Sequence, residues 1–205
     1  MAKLRQEAQQ GAPAAQFELG EAYDFGSGVP QDYATAAKWY RRAAKQGNAA
    51  AQNNLGSFYQ FGLGGATNYT RAVVLYRQAA AQGYAEAQSN LAYMYDHGLG
   101  VPRDPTAAAT CYRRAAEQGY PVAMLNVGVN CSLGEGPDRN LPEAFMWLDC
   151  ARQLAESGSS LEVKWQIRDV LEELKQQMTP EEIQEGKKLS QEWLNIHLAT
   201  NKPAP

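Results

Sequence analysis

Three asparagines, Asn54, Asn90 and Asn126, stand 36 residues apart, and Glu18 holds the same place one interval earlier. A carboxamide both donates and accepts hydrogen bonds, so a row at constant spacing could hold the backbone of an extended peptide without reading its side chains. The same groups would serve equally well to bridge neighbouring helices. Side chains capable of covalent chemistry are scattered by comparison. The two histidines, His97 and His197, have no Cys, Asp or Glu at a metal-ligand spacing that recurs. No P-loop, G-x-S-x-G or H-E-x-x-H motif is present, and the glycine-rich GLGG at 62–65 falls between two helices. These residues point to binding, with no catalytic residue, metal ligand or cofactor site.

The interval itself reveals the elements that must position these groups. The stretches 12–47, 48–83 and 84–119 repeat nearly the same text, and a fainter copy follows at 120–155. A fixed period of this length marks a stacked array. Within the third copy Ala87, Leu91 and Tyr95 fall at i, i+4 and i+8, one face of a helix, and Gly98 supplies a stop that only glycine adopts cheaply. Asp104, with counterparts Asp32, Asn68 and Asn140, predicts the N-cap of a second helix, and Pro105 suits its first position. That helix carries Ala108, Cys111, Tyr112, Ala115 and Ala116 and closes at Gly119, as others close at Gly47 and Gly83. Each copy is therefore an antiparallel pair, called here helices A and B. Such a pair cannot stand alone: ordering it costs roughly 1–2 kcal/mol per residue, against about 1.5–3 kcal/mol per large side chain buried.

Flanking segments complete the array. Residues 1–11 read as an N-terminal capping helix or partial repeat, and 156–198 as C-terminal capping helices. Ser159 or Ser160 would cap a helix burying Leu161, Trp165, Leu171, Leu174 and Met178. Thr179-Pro180-Glu181-Glu182 is a capping box opening a last helix that packs through Ile183, Leu189, Trp193 and Leu194 or Ile196. Gly186 is expected to weaken it by roughly 1 kcal/mol relative to alanine. Residues 199–205 read as a disordered tail.

Composition narrows the function classes. A net charge of −3 supplies no basic footprint for nucleic acid. No apolar run approaches the ~18 residues of a membrane span. The start lacks the apolar segment of a signal peptide, so the expected location is cytoplasmic as written. It becomes periplasmic if an upstream signal has been removed, because Met1 begins half-way through a repeat. Cys111 shares a column with Trp39, Leu75 and Trp147, and Cys131 with Tyr23, Tyr59 and Tyr95, so both read as core fillers. Cys150 shares its column with Arg42, Gln78 and Arg114 and reads as less buried.

The run AQxxLGxxYxxGxGVxxD followed by AxxWYxxAAxQG, at Ala15–Asp32 and Ala36–Gly47, resembles the Sel-one-like repeat, a tetratricopeptide-like helical hairpin. The resemblance covers 12–155. Copy two departs in its loop, and copy four at Met124, Val127, Cys131 and Leu148. It implies an all-α, α/α superhelical solenoid, a bacterial source, and a monomeric scaffold binding a peptide or helix of a partner protein in its concave groove. Some relatives pin each hairpin with a regular cysteine pair, which does not recur here. The family also offers two alternatives: a protein of the cell envelope or of host interaction, and a β-lactam-binding hydrolase. For the latter the Ser-x-x-Lys signature is absent.

In this class the A helices line the concave side. With the Ala-Leu-Tyr stripe inward, the opposite face gives the columns Phe17, Asn53, Ser89, Leu125; then Glu18, Asn54, Asn90, Asn126; then Glu21, Ser57, Tyr93, Val129; then Phe25, Phe61, His97, Leu133. The candidate binding residues are Glu18, Glu21, Asn54, Asn90, Tyr93, His97, Leu125, Asn126 and Val129. With Asp24, the first copy is acidic and the fourth apolar, which suits a segment with a basic end and an apolar end. On helix B, Arg41, Arg42, Arg77, Arg113 and Arg114 recur as a solvated outer face.

Overall fold

The computed structural model describes residues 1–134, 139–156 and 158–197, with the backbone alone of 198–200. Among the described residues every element is helical. A short α1 (Ala2–Gln9) precedes the pairs α2 (Pro13–Phe25) with α3 (Tyr33–Lys45) and α4 (Ala49–Phe61) with α5 (Tyr69–Ala81). The pairs α6 (Ala85–His97) with α7 (Pro105–Glu117) and α8 (Pro121–Leu133) with α9 (Leu141–Ala155) follow, and α10 (Leu161–Lys175) and α11 (Pro180–Thr200) close the chain. Residues 199 and 200 of the expected tail belong to α11, which runs to Thr200, and residues 201–205 lie outside the described ones. The chain divides into two compact units, 1–108 and 109–205.

Local chemistry sets the boundaries. Asp32, Asn68, Asp104 and Asn140 each accept a hydrogen bond from the backbone N–H three residues on, at 2.9–3.0 Å. This satisfies one of the free amides that open a helix. Gly26, Gly62, Gly98 and Gly134 close the A helices in the left-handed conformation. The box before α11 is reciprocal: Thr179 N–H donates to Glu182 Oε2 at 2.8 Å, and Glu182 N–H to Thr179 Oγ1 at 3.2 Å.

In the first unit a ring on helix B fills the space left by a missing side chain on helix A. A Cβ at Gly20 would stand 2.6 Å from the Tyr40 ring, and one at Gly56 2.7 Å from Tyr76. Both tyrosines are fully buried, and Tyr40 meets the next copy edge-on at Phe58, 5.3 Å between centroids. The glutamine of the AQ pair ties the copies together. Gln16 Nε2 donates to Ala8 O at 3.1 Å and Gln52 Nε2 to Ala44 O at 3.2 Å, each reaching a carbonyl at the end of the preceding helix. Gln16 Oε1 and Gln52 Oε1 in turn accept from Gln46 and Gln82. These buried amides are thereby satisfied, and they fix the register between copies.

The second unit is organised around α9, which α11 covers. A Cβ at Gly186 would fall 2.8 Å from Phe145, so this glycine permits the close approach of the two helices rather than merely weakening one. The same covering corrects the reading of Cys150. It is wholly buried, its Sγ 3.7 Å from Ser190 O, because α11 occupies the side that solvent wets at Arg42 and Gln78. Burial, with the Asp149 charge beside it, pushes the Cys150 thiol up to about 12. Cys111 and Cys131 are only half-buried, the reverse of the expected order. On α10 the buried stripe is Ile167, Leu171 and Leu174, while Leu161 and Trp165 are 75% and 61% exposed. At about 100° per residue these last two lie on the opposite side of the helix, whereas Leu171, Leu174 and Met178 of the expected stripe pack inward. At the end of α11, Leu194 is buried and Ile196 exposed.

Candidate functional site

The first unit brings six of the nine predicted residues onto its A helices. On α2, Glu18 is exposed and Glu21 half-buried. Burial raises the Glu21 carboxyl above its ordinary range, reinforced by the charges of Glu18 and Asp24. Asp24 is raised by burial too, opposed by the Tyr40 hydroxyl that donates to its Oδ2 at 3.0 Å.

The asparagines of this unit serve as cross-ties. Asn90 Nδ2 donates to Asn53 Oδ1 at 2.9 Å, and Asn53 Nδ2 to Asn54 Oδ1 at 3.3 Å, so α4 and α6 are stitched through three amides. Asn53 is 1% exposed and Ser89 4%, which removes these two, though not half-buried Phe17 and Leu125, from the accessible face. Asn53 meets the neighbouring copy through Asn90. Further along α6, Tyr93 stacks on His97 with centroids 4.0 Å apart, and His97 Nδ1 lies 3.0 Å from the Tyr93 carbonyl.

The other three predicted residues lie in the second unit. Leu125 packs against the core of Ala144, Phe145, Leu148, Leu171 and Leu174. Asn126 Nδ2 donates to Val122 O of its own helix at 2.7 Å, and half-buried Val129 presents its carbonyl to Ser132 Oγ at 2.7 Å.

What the A helices expose most is aromatic. Phe25 is 70% and Phe61 66% exposed, one repeat apart, and Leu133 holds the same position in the second unit at 64%. Each is the last residue before a left-handed glycine cap, where helix A ends. Sequence reasoning placed them in one column without ranking them, although an apolar residue directly before that glycine in three of four copies was the available signal. Exposed apolar side chains repeated at one spacing form a contact surface in a way that scattered ones do not.

Among the described residues no group of three His, Cys, Asp or Glu could hold a metal ion, and no described helix is long and apolar enough to cross a membrane. Among the described residues the A helices offer amide groups and exposed aromatic side chains.

The Sel1 repeat family profile matches residues 13–48, 49–84, 85–120 and 121–155. Among solved structures, the chain is similar to a protective antigen of uropathogenic Escherichia coli strains displaying an SLR fold, with 30% identity and a TM-score of 0.83. That match covers 98% of this chain and 43% of the other, so the chain spans less than half the length of that relative. It is also similar to a Sel1 repeat protein from Oxalobacter formigenes, with 29% identity and a TM-score of 0.72 over 93% of this chain and 74% of that one. An immunity protein from Pseudomonas aeruginosa shares the fold at 18% identity and a TM-score of 0.56, over 96% and 71% of the two chains. No curated protein matches the sequence.

Proposed function

The chain belongs to the Sel1 repeat family, whose members typically act as protein-interaction scaffolds, and on that premise we propose that it is a non-catalytic adaptor. Its A-helix faces take a peptide or helix of a partner protein. The observation that carries this reading is the exposed pair Phe25 and Phe61, with the Tyr93–His97 stack one repeat on and Glu18, Glu21, Asn54 and Asn90 one to two turns earlier on the same helices. An apolar anchor flanked by polar side chains is the usual anatomy of a contact hot spot. The protein acts as a monomer without cofactor. Peptides selected from a randomised display library on the intact protein should bind Phe25→Ala/Phe61→Ala at least about tenfold more weakly, the cost of losing hot-spot aromatics. Selection of binders indifferent to that double variant would overturn the reading.

The similarity to the E. coli protective antigen favours a second reading at the level of the cell, service at the envelope or in host contact. Fractionation of the native source decides it: recovery in the periplasm or at the surface supports this reading, and recovery in the cytoplasm opposes it.

A further inference from the structure

We propose that the trough between α3 and α5 is a second docking surface, which takes an acidic peptide segment carrying an apolar anchor side chain. It lies on the B-helix side of the first unit and does not rest on the A-helix reading. A cleft of about 290 Å³ opens there between Arg41 of α3 and Arg71 of α5, over an apolar floor of Leu55, Val74 and Leu75. It continues past Arg41 into a second cleft of about 300 Å³ toward Lys45. Val74 is 49% exposed within this floor, apolar area that a bound side chain would remove from water.

The charge is one-sided. From residue 33 to 85 there is no Asp or Glu, while Lys38, Arg41, Arg42, Lys45, Arg71 and Arg77 are all present and all exposed. Among the described residues neither Arg41 nor Arg71 has a carboxylate partner. Both are held instead by Tyr59: Arg41 Nη2 donates to its hydroxyl at 3.4 Å, and the Arg71 guanidinium lies 5.5 Å from its ring centre. Two guanidiniums oriented on one ring, beside an apolar floor, match a carboxylate next to an aliphatic or aromatic side chain. Single-stranded nucleic acid would want an exposed aromatic platform for its bases, and the one ring lining this cleft, Tyr59, is half-buried and already engaged by both guanidiniums.

The test is fluorescence polarisation on the full chain with three labelled probes: a peptide of alternating glutamate and phenylalanine, its glutamine-for-glutamate counterpart, and oligothymidylate. The glutamate peptide should bind saturably, with the other two at least about tenfold weaker. Arg41→Gln/Arg71→Gln, and separately Val74→Glu, should each weaken the glutamate peptide about tenfold while melting like the parent, and Phe25→Ala/Phe61→Ala should leave it unchanged. The proposal is overturned if the glutamate peptide does not bind, if it binds no better than the glutamine peptide, if the arginine or Val74 variants bind it undiminished, or if oligothymidylate binds as well. A loss caused by the phenylalanine variant alone would assign the binding to the A-helix face and overturn this one.

Discussion

The Asn90 carboxamide donates to Asn53 Oδ1 at 2.9 Å across 37 residues of chain, joining one repeat to the next through two side chains of which the acceptor is buried. Asn126, in the column of Asn90, turns back to its own helix at Val122 instead. Removing Asn90 strands a buried acceptor, whereas removing Asn126 strands none, so Asn90→Ala should cost about 1–2 kcal/mol and Asn126→Ala under about 0.5 kcal/mol. Urea denaturation of the two variants measures the contrast. Equal effects would show that the cross-tie contributes nothing.

Replacing a mid-helix glycine by alanine ordinarily stabilises a helix by about 1 kcal/mol. At Gly186 the sign should reverse, because the added methyl would meet Phe145 at 2.8 Å and force α11 away from α9. The expected cost is about 1–3 kcal/mol, as for other overpacked cores. Gly56→Ala should behave likewise against the Tyr76 ring. A raised melting temperature in either variant would contradict the packing described.

Asp149 on α9 gathers Arg152 at 2.8 Å, Gln153 at 2.9 Å and the Ser190 hydroxyl of α11 at 2.8 Å. Burial alone would raise its carboxyl, but the bonds from Arg152, Ser190 and Gln153 together outweigh it and hold the group below its ordinary range. A depressed carboxylate contributes stability above its unfolded pKa, and that contribution is lost as pH falls through the folded value. Asp149→Asn should therefore be less stable than the parent at neutral pH, by about 2 kcal/mol for a hydrogen-bonded charge. The two melting temperatures should converge in acid, which thermal scans across pH will show.

Glu21 behaves in the opposite sense. Its carboxyl is raised by burial and then by Glu18 and Asp24, so folding favours the protonated form, and that stabilisation is lost as pH rises through the folded value. Glu21→Gln should be slightly more stable than the parent at neutral pH, by less than about 1 kcal/mol after solvent screening, and equal to it below about pH 4. Differential scanning calorimetry at two pH values checks the sign.

The features legible in the sequence are those decided within a few residues. The caps at Asp32, Asn68, Asp104 and Asn140, the glycine stops of the A helices and the Thr179–Glu182 box all depend on groups three or four positions apart, and all were read directly. Features set by a neighbouring element were not. Cys150 carries no mark of burial in its own helix, since its cover comes from Ser190 and its surroundings 40 residues later. Asn53 lies outside the inward stripe of an isolated hairpin, yet Asn90 of the adjacent repeat closes over it. Leu161 and Trp165 are apolar by type, but at about 100° per residue they stand on the side of α10 opposite Ile167, Leu171 and Leu174. The exposed Phe25 and Phe61 were visible as a column, but only coordinates distinguish a column that faces solvent from one that faces a neighbour.

The claim that the A-helix face receives a partner is tested most directly by photo-cross-linking in the native host, with benzoylphenylalanine placed at Phe61 and, as an equally exposed control, at Leu161 on α10. The account predicts a discrete protein adduct from position 61 that weakens when Phe25 is changed to alanine, and none from position 161. Adducts of equal yield from both positions, or an adduct from 161 alone, would contradict it.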